Sequence, residues 1–153
     1  MTDRPDELVL KPIGRVKSPV TARPAADFAW DDIVSEIVID DSLKEGLDGL
    51  EDYSHVIVIF WLHRSLEPDR MALKVHPRRK TDREPVGLFA SRSPYRPNPL
   101  GLKVARLLWR RDNVLSVQGL DAIDGTPVLD IKPFIPGYDS PAGATAPQWM
   151  NSR

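Results

Sequence analysis

The stretch His55-Val56-Ile57-Val58-Ile59-Phe60-Trp61-Leu62-His63 decides what kind of fold this chain can adopt. Its β-branched and aromatic residues favour extended backbone. Because it does not alternate apolar with polar residues, both faces should be covered, which predicts a central strand. Shorter runs rich in Val and Ile recur at residues 8–16, 34–39, 86–91, 102–109, 114–120 and 126–131, separated by Pro, Gly and Asp, and helical periodicity is scarce. Seven short strands in 153 residues predict a mainly all-β protein. A single antiparallel β-barrel, closed or nearly closed, with short helices is the expected architecture, since closure removes the sheet edges that invite aggregation. Residues 42–50 predict a short helix ending at Gly49, Arg111-Asp112-Asn113 a tight hairpin, and Asp124-Gly125 the hairpin that follows it.

The length fits one domain over residues 1–153, with the barrel at about 8–138 and a C-terminal arm at about 139–153. Trp149, near the end of that arm, is expected to be buried, against a second subunit. With 41% hydrophobic and 28% charged residues the chain has the composition of a folded globular protein. The absence of cysteine excludes disulfides, thiolate metal sites and cysteine nucleophiles, and fits a cytoplasmic protein. The polar, acidic start lacks the pattern of a secretory signal, and the longest apolar run, residues 56–62, is too short to span a bilayer, so no membrane partner is expected.

The formal net charge of −1 conceals an uneven distribution. Residues 74–111 hold eleven Lys or Arg and only two acids, Asp82 and Glu84. Such a segment is either a solvated loop region or a surface for phosphates and nucleic-acid backbone. Within it, His76 precedes Arg78, Arg79 and Lys80, a cationic run suited to RNA phosphates. His55 and His63 stand eight residues apart on one predicted strand, too far at roughly 3.3 Å per residue to share a metal, so no metal site is expected. His63 closes the apolar strand either as a polar cap or as a ligand contact.

Ser93-Pro94-Tyr95-Arg96-Pro97-Asn98-Pro99 can be neither helix nor central strand, because proline fixes φ and lacks an N–H. It is read as a stiff loop that presents Arg92, Tyr95, Arg96 and Asn98 from a backbone with little freedom. Guanidinium forks suit carboxylates and phosphates, and a tyrosine ring can stack on a base. The competing reading is a Pro-rich crossover whose arginines face water. A second cluster, Asp121-Ala122-Ile123-Asp124-Gly125 with Asp130 and Lys132, offers carboxylates for hydroxyls, an ammonium or a proton, but Asp-Gly is equally an ordinary turn. There is no Gly-x-Gly-x-x-Gly, no Walker lysine loop and no Gly-x-Ser-x-Gly elbow, which excludes a Rossmann-type cofactor site on motif grounds.

Four segments together carry a resemblance. They are Ile13-Gly14 with Ser18-Pro19, Gly49-Leu50-Glu51-Asp52-Tyr53-Ser54-His55, the run Gly87-Leu88-Phe89-Ala90-Ser91-Arg92-Ser93-Pro94-Tyr95-Arg96-Pro97-Asn98-Pro99-Leu100-Gly101, and Asp124-Gly125-Thr126-Pro127-Val128-Leu129-Asp130-Ile131-Lys132-Pro133. In this order they resemble the TsaA-like family, also known as TrmO or YaeB, from about Ile13 to about Tyr138. The resemblance implies a β-barrel, a homodimer, S-adenosylmethionine as methyl donor, and N6-methylation of threonylcarbamoyladenosine at tRNA position 37. Carried over by position, it implies donor contacts at His63, Arg92, Leu102, Asp121, Ala122, Ile123 and Asp124. The acceptor side is assigned, on chemistry, to Arg78, Arg79, Lys80, Tyr95, Arg96, Asn98 and Lys132, and proton removal to Asp124 or Asp130. Where many members carry a Pro-Arg-Gln type sequence, this chain reads Thr21-Ala22-Arg23-Pro24-Ala25-Ala26-Asp27-Phe28-Ala29-Trp30, without the glutamine. A different acceptor for the same donor, another RNA or a small molecule, and a non-catalytic barrel that binds RNA or a nucleotide are the competing functions.

Overall fold

The computed structural model describes residues 7–77 and 82–151. Six strands close into an antiparallel barrel: β1 (Gly14–Lys17), β2 (Val34–Ile39), β3 (His55–Trp61), β6 (Leu100–Arg111), β7 (Val114–Gln118) and β8 (Pro127–Pro133). Around the barrel the order is β1-β2-β7-β6-β3-β8. Two further strands, β4 (Lys74–Val75) and β5 (Val86–Gly87), form a separate ribbon, and a short helix, α1 (Gln148–Asn151), lies in the C-terminal arm. Among the described residues no helix is long and apolar enough to cross a membrane.

The barrel interior is filled by the inward residues of each strand. Val56, Val58 and Phe60 of β3 meet Val16, Ile37, Ile39, Ala105, Leu115, Val117 and Val128. The intervening residues of β3 are half-buried, so the unbroken apolar run serves a fully buried inner face and a partly covered outer one. β3 is central as expected, paired with β6 on one side and β8 on the other.

Two bulges set which side chains face out. On β8, Ile59 pairs with Asp130 but Phe60 pairs with Val128, so Leu129 is the extra residue. Val128 and Ile131 thereby both reach the core while Asp130 turns outward, an arrangement a strict two-residue period forbids. On β6, Leu108 is extra between Leu107 and Trp109.

Several expectations are corrected. The strand expected over 8–16 pairs only from Gly14, and Leu8, Val9 and Leu10 are exposed, because β2 ends at Ile39 and leaves them no partner. The strand expected over 86–91 keeps two residues and then tightens into a 3₁₀ turn, Leu88–Ala90. The helix expected over 42–50 is a pair of 3₁₀ turns, Asp41–Leu47 and Leu50–Asp52, with Gly49 at φ 87° between them. The hairpin at Asp112-Asn113 forms, with Asp112 at φ 51° and the Asn113 side chain donating to the Ile39 carbonyl at 2.7 Å. Asp124-Gly125 makes no hairpin: β7 and β8 are not neighbours, and the turn crosses the barrel end to dock on β1.

Gly14 is required by contact with backbone. A Cβ built there falls 2.3 Å from the Val38 carbonyl oxygen and 2.9 Å from the Ile39 Cα, neither of which can yield without opening the β1–β2 pair. Gly14→Ala is expected to lower the unfolding free energy by about 1–3 kcal/mol, as overpacking does. Gly46→Ala, where a Cβ meets nothing within 4 Å, is expected to change it by less than about 1 kcal/mol. Urea unfolding of both variants checks the contrast, and equal effects would contradict it.

Candidate functional site: a cationic cleft at the barrel end

At one end of the barrel a cleft of about 890 Å³ opens, toward the upper end of the roughly 300–1,000 Å³ usual for small-ligand sites. Its floor is the end of the β3–β6 ladder, where Phe60 pairs with Gly101. A Cβ on Gly101 would lie 2.3–2.7 Å from three atoms of the Phe60 ring, so glycine is needed for the ring to lie flat across β6. Beyond the floor, Leu62 N–H donates to the Pro99 carbonyl at 2.8 Å, and His63 N–H turns back to the Trp61 carbonyl at 2.8 Å. That sharp turn brings His63, Arg64 and Ser65 to the cleft.

One wall is the proline-stiffened loop. Its prolines supply no N–H, so carbonyls need donors from elsewhere. Arg96 provides them: its Nη1 lies 3.0 Å from the Ser91 oxygen, 3.3 Å from that of Ser93 and 3.4 Å from that of Leu88, and its guanidinium sits 5.7 Å from the Phe89 ring centroid. Ser91 Oγ donates to the Leu88 carbonyl at 2.8 Å. The opposite wall is the turn after β7. Its Asp124 carboxylate accepts the Ser18 N–H at 3.0 Å, and the Asp124 and Gly125 N–H groups donate to Val20 and Val16 carbonyls, each at 2.8 Å. Thr126 Oγ1 closes the turn onto the Ile123 carbonyl at 2.7 Å. Asp121, Ala122 and Ile123 are thereby held at the cleft. A third side comes from the β1–β2 loop through Arg23, Pro24, Ala25, Ala26 and Trp30, with Phe28 packed edge-on to Trp30 at 5.0 Å.

The electrostatics are asymmetric. Arg23, Arg64, Arg92, Arg96 and Lys103 line the cleft, and among its described residues Asp121 is the one acid. Asp121 is exposed at the cleft, yet its carboxyl is partly desolvated by the surrounding protein. That desolvation raises its pKa above the ordinary 3.8, with Lys103, a backbone hydrogen bond and Arg92 pulling the other way. His63 is shifted below the ordinary 6.5, chiefly by burial and further by the charges of Arg64 and Arg15, so its ring is neutral at neutral pH.

The cleft gathers His63, Arg92, Leu102, Asp121, Ala122, Ile123 and Arg96 of the residues singled out from the sequence. Asp124 is not part of the cleft lining, and its carboxylate is engaged with Ser18. Asp130 and Lys132 pair with each other at 2.9 Å on the outer face of β8. Tyr95 borders a smaller neighbouring groove, and Asn98 is exposed outside the cleft. Arg78, Arg79 and Lys80 lie outside the described residues. Sequence reasoning missed Arg64, Phe60 and Lys103, and it marked the loop that holds Arg23 and Trp30 without assigning either residue. Lys103 and Arg64 could have been found as immediate neighbours of Leu102 and His63, whereas Arg23 and Trp30 sit in a loop with no periodicity to read.

A closed antiparallel barrel whose end carries a cationic cleft, walled by a carbonyl-capped proline loop, defines a small-ligand-binding barrel unrelated to the doubly wound nucleotide folds. The chain belongs to the tRNA-methyltransferase O N-terminal domain family, whose model matches residues 18–140. It is 42% identical over 134 residues to an S-adenosyl-L-methionine-binding protein of Archaeoglobus fulgidus, covering 86% of this chain and 93% of that one. It is 45% identical over 98 residues to a mouse tRNA (adenine(37)-N6)-methyltransferase, covering 62% of this chain and 22% of the mouse protein. A crystal structure of TrmO from Pseudomonas aeruginosa matches with a TM-score of 0.71 at 30% identity, over 91% of this chain and 61% of that one.

A nuclear magnetic resonance titration is expected to place the His63 midpoint below 6.5, and Arg64→Gln to move it upward by removing a like charge. A midpoint at or above 6.5, or no movement in the variant, would contradict this account of the cleft.

Proposed function

We propose that the chain is an S-adenosylmethionine-dependent tRNA (adenine-N6)-methyltransferase acting on threonylcarbamoyladenosine at position 37, in the cytoplasm and as a homodimer. The observation that carries the proposal is convergence. Six residues the family resemblance assigns to the donor, His63, Arg92, Leu102, Asp121, Ala122 and Ile123, line one cleft although they come from four separate segments. The Archaeoglobus relative, an S-adenosyl-L-methionine-binding protein, supports the donor, and the mouse relative, a tRNA (adenine(37)-N6)-methyltransferase, supports the acceptor.

The lining fits the donor by chemistry. Trp30, Leu62, Leu102 and Ile123 offer apolar surface for a base, Asp121 a partner for ribose hydroxyls or an ammonium, and Arg92 and Lys103 partners for a carboxylate. S-adenosylmethionine supplies a methyl group activated by its sulfonium charge. The protein's part is to hold two partners in line and to manage one proton. A neutral His63 adds no positive charge beside a cationic ligand. Asp121, exposed at the cleft but with its pKa raised by partial desolvation, is a stronger base than an ordinary aspartate and is the carboxylate at hand for the N6 proton or the donor's ammonium. Asp124 acts by fixing the turn that carries Asp121.

The homodimer is supported by an exposed apolar face beside the cleft. Leu102 and Val104 of β6 stand across from Ile59 and Ile57 of β3, which in turn pair with Asp130 and Lys132 of β8. Leu102 is 51% and Val104 37% exposed, and both also line the cleft, so a second copy on this face would cover it. There the Asp130–Lys132 pair would approach the site.

Isothermal titration with S-adenosylmethionine, followed by transfer of labelled methyl to tRNA from cells lacking the enzyme, tests the proposal. Asp121→Asn is expected to weaken donor binding about tenfold or more. In the parent, binding should weaken as pH falls through the raised Asp121 pKa, because protonation removes the charge that faces the donor. A parent protein that binds no donor would overturn the function, and a monomer in sedimentation velocity would overturn the dimer.

A further inference from the structure

Three loops meet at Tyr95. Arg23 arrives from the β1–β2 loop, Arg70 from the 3₁₀ turn Pro68–Arg70, and Tyr95 from the proline-stiffened loop. Both guanidiniums donate to the same atom, the Tyr95 hydroxyl oxygen, Arg70 through Nη1 at 2.7 Å and Arg23 through its own Nη1. Their central carbons lie 5.2 Å (Arg23) and 4.9 Å (Arg70) from the Tyr95 ring centroid. The acid found beside them is Glu67, 3.5 Å from Arg70, with both side chains more than half exposed.

This arrangement leaves strong donors unused. A phenolic oxygen that accepts from two guanidiniums has spent its lone pairs, so its own O–H is left to donate. Each guanidinium carries five N–H donors and commits few of them here. Two like charges drawn onto one neutral oxygen repel, and an anion seated between them would relieve that repulsion while receiving three sets of donors.

The position of the cluster says what the anion belongs to. Arg23 also lines the donor cleft, and Tyr95 also lines a neighbouring groove of about 300 Å³. That groove is lined mainly by apolar residues, among them Trp61, Met71, Pro97 and Pro99, with Glu67 the one acid among its described residues, and offers surface on which a base can lie. The cluster stands on the ridge between a site for one nucleoside and a shelf for another.

We propose that Arg23, Tyr95 and Arg70 form an oxyanion clamp that holds the acceptor RNA at the mouth of the donor cleft. That the acceptor is RNA rests on the function proposed above. The anion has two sources, a backbone phosphate or the carboxylate of a threonylcarbamoyl group on the target adenosine, and both present the same chemistry to the clamp. Arg70 lies outside the donor cleft, so its contribution separates from donor binding.

The experiment uses the full chain and two synthetic anticodon stem-loops, one with and one without the threonylcarbamoyl group, read by fluorescence anisotropy across about 50–200 mM salt. Donor affinity is measured in parallel. Arg70→Gln is expected to weaken RNA binding roughly tenfold, and Tyr95→Phe, which keeps the ring and deletes the hydroxyl, to weaken it as well. A loss equal for both RNAs, with a salt slope lower by about 1, assigns the clamp to a phosphate. A loss confined to the modified RNA assigns it to the carboxylate. Either supports the clamp. A parent that binds neither RNA, or an Arg70→Gln protein that binds both within about twofold of the parent, overturns it. A parent that binds no donor defeats the function proposed above and leaves the clamp to be judged on RNA binding alone.

Discussion

The contact on which the site depends is the Phe60 ring lying across Gly101. Phe60 is 2% exposed, the largest of the fully enclosed side chains, and it fills the barrel where the β3–β6 ladder runs out. Because the neighbouring strand offers no Cβ there, the ring closes the interior without spreading the two strands. From this pair the chain departs in two directions, forward from β3 into Leu62 and His63 and backward from β6 into the proline loop. The floor, the turn at His63 and the proline-loop wall therefore hang from one packed pair, while the Asp121–Gly125 wall is tied to β1. A larger residue at position 101 would move the floor and the proline-loop wall together, which ties a short sequence feature to much of the site.

Proline stiffening is a partial solution, since it removes freedom and also removes donors. Arg96 supplies the missing donors and becomes part of the loop's frame, so the most rigid guanidinium in the region is the one least free to reach a ligand. Arg92, exposed at the cleft, and Arg23 and Arg70, arriving from other loops, make none of these carbonyl bonds, which on the proposed function leaves them for recognition. A motif that reads as a string of equivalent binding residues thus divides by hydrogen bonding into supports and contacts. The Asp121–Gly125 turn divides in the same way: Asp124 secures it to Ser18, and Asp121 faces the cleft.

These divisions mark the limit of what was legible beforehand. The central strand, the barrel class and the Asp112-Asn113 hairpin were readable because apolar runs and turn residues act locally. The second hairpin was misread because Asp-Gly specifies a turn and says nothing about which strands it joins. Leu8–Leu10 looked like strand because composition reports propensity, and pairing depends on a partner that ends at Ile39. The outward turn of Asp130 follows from one inserted residue, Leu129, which no alternation pattern announces. For the site, the family motif marked residues that the structure gathers at one cleft. It could not tell that Tyr95 would be gripped by arginines from two distant loops, because side-chain convergence across loops leaves no periodic trace.

The charge pattern of the cleft makes a further point about how one small barrel could serve two partners. A site for S-adenosylmethionine alone, a ligand with two cationic groups and one carboxylate, would gain nothing from five basic side chains against a single acid. The surplus makes sense if the donor occupies the part near Asp121, Arg92 and Lys103, and the remaining cations, Arg23 and Arg64 with Arg70 outside, face a polyanion. Desolvation then works in both parts at once. It lowers the His63 pKa and raises that of Asp121, which on the proposed function would suit a cationic donor beside the one and proton removal by the other. Acceptor binding over the mouth would exclude water and strengthen both effects, so the RNA that receives the methyl group would also complete the environment in which it is transferred.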